Sequence, residues 1–319
     1  MSQTKLNEGD LVLLFNNLPY DFSMDLPLSP AAGITVSATP HSLLATPDSD
    51  HQPCFVLPGV KLPGSRISNC CLISRISESV PQNIRRDDIL FSYLTVLRLL
   101  APAYISAAGQ FNYGGEDDPI SHMELKNIRS TWQPNPAYHY SGSLLLYGGK
   151  LLDRALECLT TGPHRLKYAL TMFSHVTNGF SFSYQMNVLG LYAALEALFS
   201  PSRTRNYAET LGARLGAYLS PFDDEKSLCD WITKHYQGER HSLSHGFWQF
   251  SPDSSRSQER SSDFGKLHEI VRLSLLGFLS MSASEVALLK LTGNKLHRAL
   301  DNIKPADGQF LQGQKMWFV

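Results

Sequence analysis

YQMNVLGLYAALEALF, residues 184–199, repeats its apolar side chains at helical spacing. Val188, Leu191, Tyr192, Leu195 and Phe199 fall on one stripe, and Ser200-Pro201 ends the run. A stripe that wide has to be covered by other helices, and the sequence on either side supplies them. NYAETLGARLGAYLS (206–220) follows, closed by Pro221. DDEKSLCDWITKHYQGERHSLSHG (223–246) opens with acidic residues that suit a helix N-terminus. A polar, Ser-rich insert, SPDSSRSQERSS (251–262), leads into DFGKLHEIVRLSLLGFLSMSASEVALLKL (263–291), part of the helical half. Upstream, LLDRALECL (151–159) is short and periodic. Pro163 suits the first turn of the helix that begins at His164. Residues 151–319 therefore read as an all-α domain, an antiparallel helical bundle.

The first 150 residues have a different composition. Eight of the 18 prolines lie within residues 1–65, a density that long helices do not tolerate. LVLLF (11–15), GITVSA (33–38), PCFVLPGV (53–60) and CCLISRI (70–76) read as short strands. DDILFSYLTVLRLL (87–100) reads as a helix capped by Asp87 or Asp88 and stopped by Pro102. GQFNYGGEDDP (109–119) and QPNPAYHYSG (133–142) read as turns. The three acids of the former suit a solvated turn better than a divalent-ion loop. The expected fold class is thus α+β: a Pro-rich, mixed, mostly β domain over 1–150 and a helical bundle over 151–319.

Hydrophobic residues make up 43% of the 319 and charged residues 18%, enough apolar surface for a packed core. Lys+Arg 28 against Asp+Glu 29 leaves a net charge of -1, so nucleic-acid binding has to come from a local patch. No uninterrupted apolar run reaches the length of a membrane span, and the acidic N-terminal stretch lacks the basic start of a signal peptide. Cys54, Cys70, Cys71, Cys158 and Cys229 form no CxxC pair. Their odd number and irregular spacing point to reduced thiols and a cytoplasmic location, without membrane partners. There is no GxxxxGK[ST], GxGxxG or GxSxG, so ATP-driven, dinucleotide and ordinary serine-hydrolase functions have no support.

The densest cluster of chemical side chains runs from His235 to Gly246 and includes Tyr236, Arg240, His241 and His245. An Arg and a His five positions apart mean nothing alone. The composition yields about 0.6 such pairs by chance. On an ideal helix, five positions place Arg240 and His245 about 140° apart. Either the helix distorts near Gly238 or Gly246, or the two side chains approach a ligand from opposite sides. Structural readings compete at each residue. Arg240 can pair with Glu239 or Asp230, and His245-Gly246 can be a helix C-terminus. Glu196, in its apolar helix, can partner Arg214 or Arg272 or face solvent. Tyr236 can stack on Arg240 or on a base, or pack in the core. His241 and His245 have the spacing of two zinc ligands on one helical face, but no Glu follows His241 to make the metalloprotease pattern.

The YxxxRxxxSHG stretch from Tyr236 to Gly246 resembles the Arg-polar-x3-His motif of HEPN domains, with His241 at the polar position. ALEALF (194–199), LGARLGAYLS (211–220) and LHEIVRLSLLGFL (267–279) resemble the surrounding helices of the Apea-like branch. The resemblance covers roughly residues 160–290 and leaves 1–150 unassigned. It implies a HEPN-like helical bundle that dimerises so that two Arg–His motifs share one cleft. It further implies a metal-independent endoribonuclease, with Arg240, His241 and His245 catalytic. Tyr236, Glu196 and Arg214 are expected to contact RNA or to support the catalytic residues. No metal and no cofactor are expected. RNA is the expected substrate and a second copy of the chain the expected partner. Microbial defence or toxin-like growth arrest is the expected setting. The alternative is a non-catalytic RNA- or nucleotide-binding module.

Overall fold

A computed structural model describes residues 5–17, 26–38, 56–57, 60–61, 70–75, 84–101, 105–115, 122–128, 140–178, 183–200, 206–245, 254–304, 310–311, 313–314 and 316. The fold is α+β. The chain separates into two compact units, Met1–Asp153 and Arg154–Val319.

The first unit is built on a six-stranded antiparallel sheet. Its strands are β1 (Leu11–Asn17), β2 (Leu28–Ala31), β3 (Ile34–Ala38), β6 (Cys70–Ser74), β7 (Ser106–Asn112) and β8 (His122–Ile128). Their spatial order is β2-β3-β6-β1-β7-β8. β4 (Val56–Leu57) and β5 (Val60–Lys61) pair separately as a two-stranded ribbon. Leu11 to Phe15 of β1 are all buried, as expected of an unbroken apolar run in a strand with neighbours on both sides. On one face Val12 and Leu14 stand opposite Ile73 and Cys71, and with Phe111, Leu6 and Tyr113 they form a single cluster. At the start of β1, Asp10 is fully buried and is held by Arg75 Nη1 at 2.7 Å and by the Asn7 amide at 2.9 Å.

Helix α1 (Arg86–Leu100) contacts β6 and β1. Its N-cap is Arg85 and not Asp87 or Asp88. Both acids sit in the first turn, where Asp87 accepts hydrogen bonds from Arg85. Ala101, before Pro102, is extended, which is what the proline ring imposes on its predecessor. Helix α2 (Gly142–Thr161) begins nine residues before the LLDRALECL segment, and the division between the units falls within it. Gly149 lets its first half lie against β2. A Cβ there would stand 1.6 Å from the Pro30 carbonyl oxygen, so only glycine fits. β7 overturns part of the turn reading of 109–119, since residues 109–112 are strand. The acids at 116–118 and the segment 133–139 lie outside the described residues.

In the second unit, α3 (His164–Thr177) packs on α4 (Tyr184–Phe199), and α5 (Tyr207–Leu219) packs on α6 (Glu225–His235). The long α8 (Ser254–Ser280) touches α3, α4 and α5. Residues 267–279 of α8 are buried all round, the mark of a central helix. The Ser-rich insert is helical from Ser254 onward, not a separate polar linker. Within 263–291, Ser282 starts a new helix. Its hydroxyl accepts from the Glu285 amide and Glu285 reaches back to the Ser282 amide, a capping box that opens α9 (Ala283–Val286). A 3₁₀ turn (Ala287–Lys290) and α10 (Gly293–Asp301) follow.

The polar centre of α8 is an ion pair. Glu269 and Arg272 are both fully buried, with Arg272 Nε 3.0 Å and Nη2 2.9 Å from the carboxylate. Arg272 Nη1 also donates to Gln314 Oε1 at 2.7 Å. Phe310, Leu311 and Met316 are buried as well, so the described part of the C-terminal tail packs on its own chain. Cys70, Cys71, Cys158 and Cys229 are free thiols, and Cys54 lies outside the described residues. No single helix among the described residues is long and apolar enough to cross a membrane.

Candidate functional site

The Arg–His stretch lies on α6 and its continuation. α6 starts on Asp224, whose side chain accepts from the Ser227 amide at 2.8 Å. After His235 the backbone widens into a π-turn (Tyr236–Arg240), in which the His241 amide bonds to the Tyr236 carbonyl five residues back. It then tightens into the single turn α7 (His241–Ser244) and ends at His245. Gly238 meets nothing within 4 Å of a built Cβ, so no close approach requires glycine there. Its carbonyl accepts the Ser242 hydroxyl at 2.6 Å. A distortion, one of the alternatives the spacing left open, is thus present around Gly238, but it ends at Arg240. It leaves the Arg240–His245 interval α-helical, so these two side chains still flank the axis.

α4 packs against the π-turn and α7 and brings Glu196 to the motif. Glu196 Oε1 accepts the Tyr236 hydroxyl at 2.8 Å and Arg240 Nε and Nη2 at 3.1 Å each. The Arg240 guanidinium carbon lies 5.3 Å from the Tyr236 ring centroid. Burial and the Glu196 charge both raise the Tyr236 pKa, which fixes the phenol as donor. The arginine side chain keeps 28% of its surface exposed, and the guanidinium edge carrying Nη1 is not engaged by Glu196. Glu196 pairs with neither Arg214 nor Arg272, the two partners offered by sequence. Arg240 pairs with Glu196 and not with Glu239 or Asp230. Glu239 lies 3.9 Å from Arg260 on α8.

One turn on, His241 and His245 are both exposed, with ring centroids 4.3 Å apart and planes tilted by 51°. The His245 amide bonds to the His241 carbonyl at 3.1 Å. Arg214 does not join the site. It donates to Asp301 of α10 at 2.7–2.8 Å, to the Phe199 carbonyl at 2.6 Å, and lies 3.1 Å from His297 Nδ1. It ties three helices together.

Beneath the motif sits a histidine to which the sequence reading gave no role. His235 is buried, stacked on Trp231 at 4.6 Å, and its Nδ1 lies 2.6 Å from the Tyr192 hydroxyl. Burial lowers its pKa to about 4 and raises that of Tyr192, so the phenol donates to a neutral ring. Nε2 then carries the proton, buried and without a partner among the described residues. No group of three or more His, Cys, Asp or Glu among the described residues is placed to hold a metal ion. A cleft of about 270 Å³ between Arg154, Cys158, Pro163, Val286 and Lys290 contains none of the motif residues. Comparisons with family models, with curated proteins and with solved structures give no match.

Proposed function

We propose that the chain is a metal-independent endoribonuclease of HEPN type, a cytoplasmic enzyme acting as a homodimer in microbial defence or toxin-like growth arrest. One observation carries the reading. A partly exposed guanidinium, oriented by Glu196 and Tyr236, is followed on the same helix by two exposed imidazoles. A π-turn next to reactive side chains also fits a functional site. In the proposed reaction the Nη1 edge of Arg240 holds the scissile phosphate. An imidazole, His245 or its neighbour His241, takes the proton of the ribose 2′-OH. The 2′-oxygen attacks phosphorus, and the 5′-oxygen leaves with a proton delivered by a second imidazole. The products are a 2′,3′-cyclic phosphate and a 5′-hydroxyl. A second copy facing the first across a two-fold axis supplies the other Arg–His pair, since within one chain Arg240 and His245 flank the helix.

One observation favours the alternative of a non-catalytic RNA- or nucleotide-binding module. Glu196 neutralises the one arginine the chemistry requires. Incubating purified chain with bulk RNA in EDTA decides between the two readings. Cleavage that falls about 10²–10⁴-fold in Arg240→Ala and His245→Ala supports the nuclease. Variants that cut like the parent refute the site, and RNA binding without cleavage selects the binding module.

A further inference from the structure

We infer that His241 and His245 form a two-imidazole site for a divalent transition-metal ion of the Zn2+ class. We further infer that filling it switches off the chemistry at His245. The second half rests on the ribonuclease reading and the first does not. The two rings stand one helical turn apart on a turn closed by its own backbone hydrogen bond, and both are exposed. Their centroids are 4.3 Å apart. Two rings binding one tetrahedral Zn2+ through Zn–N bonds of about 2.0–2.1 Å have centroids about 5 Å apart. The observed centroids differ from that spacing by a fraction of an ångström.

The donor set selects the ion. Imidazole suits Zn2+, Cu2+ and Ni2+, whereas Mg2+ and Ca2+ demand oxygen. No third His, Cys, Asp or Glu joins the pair among the described residues, and two imidazoles alone leave half of a tetrahedral coordination sphere to exchangeable ligands. Such a site binds reversibly, unlike a closed structural site with four protein ligands. A metallated ring nitrogen has no lone pair left to take the 2′-OH proton, so the bound ion and the proposed catalysis exclude each other. The metal would act as an inhibitor of this enzyme and not as its cofactor.

The experiment uses the full chain without a histidine-rich tag, titrated with Zn2+ by calorimetry, with Mg2+ as the control ion. We expect micromolar Zn2+ binding and no Mg2+ binding. His241→Ala and His245→Ala should each weaken Zn2+ binding by at least about tenfold, since even losing an outer-shell partner costs that much. His164→Ala, an exposed histidine on α3, should leave binding unchanged. Far-UV circular dichroism confirms that the variants keep their helices. Binding that needs millimolar Zn2+, or that persists in both alanine variants, overturns the site. In the cleavage assay, saturating Zn2+ should abolish turnover and EDTA should restore it. Undiminished cleavage at saturation overturns the switch. A chain that binds Zn2+ through the pair but cuts no RNA supports the site and overturns the ribonuclease reading instead.

Discussion

Arg272→Met should destabilise the chain by about 3–5 kcal/mol at pH 8, because it strands a buried carboxylate. Glu269 and Arg272 are both fully buried. Burial alone would raise the Glu269 pKa, but the Arg272 charge and its hydrogen bonds, with the His268 ring 3.8 Å away, outweigh it and hold the carboxyl below its ordinary value. In the parent chain this contribution is present above the unfolded carboxylate pKa, and it fades as pH falls through the lower, folded value. In the variant only the burial effect remains strong, so Glu269 takes up a proton on mild acidification and sheds most of the penalty. At about 2–4 °C per kcal/mol for a unit of this size, the melting temperature should drop by about 10 °C at pH 8. The gap to the parent should narrow at pH 5. Thermal melts followed at 222 nm at the two pH values read both numbers. A loss below about 1 kcal/mol would refute the buried-pair account, and so would a gap that does not change with pH. Glu269→Leu added to Arg272→Met should recover most of the lost stability, since an apolar pair of similar volume has no charge to strand.

Gly277→Ala places a Cβ 2.2 Å from the hydroxyl of fully buried Tyr218. It should cost about 1–3 kcal/mol in urea unfolding despite alanine's better helix propensity. Tyr218→Phe in the same chain should return part of that, because the Tyr218 hydroxyl has no hydrogen-bond partner among the described residues. His235 should show no imidazole inflection above pH 5 in an NMR titration. With its pKa lowered to about 4, the folded chain loses stability as pH falls from the unfolded value towards 4. A normal inflection near 6.5 would contradict its burial. Arg240→Ala should weaken RNA binding by fluorescence anisotropy and make its log–log salt slope shallower by about one. An unchanged slope would mean that Arg240 meets no phosphate.

The strands read at 11–15, 33–38 and 70–76, found as Leu11–Asn17, Ile34–Ala38 and Cys70–Ser74, were legible because apolar runs bounded by turn residues leave little else to build. β7 was not, because Gly109 and the Gly114-Gly115 pair disguise a strand that ends three residues before a left-handed glycine, Gly115. The start of α8 was hidden for a different reason. Serine-rich sequence forms helix poorly by itself, and here it extends a helix anchored by the buried residues 267–279. Tyr236, Arg240, His241 and His245 could be read together because one stretch carries them all. The partner of Glu196 could not, since 44 positions separate it from Arg240 and several arginines competed for one carboxylate. Arg214 was misplaced for the same reason. Its acid, Asp301, lies on α10, which the sequence pattern did not reveal.

The π-turn between α6 and α7 has a consequence for how this chain could vary. A π-turn amounts to one residue more than an α-helix needs over the same height. Deleting Gly238, where an added Cβ would meet nothing, would let the turn close to regular α while everything after it keeps close to its present bearing. The anchor at Asp224 and the buried face of α6 would stay where they are. His241 and His245 would keep their direction, still one turn apart. The extra residue is absorbed within the turn itself. The chain can therefore change length by one position here without redirecting the imidazoles or repacking the helix that carries them.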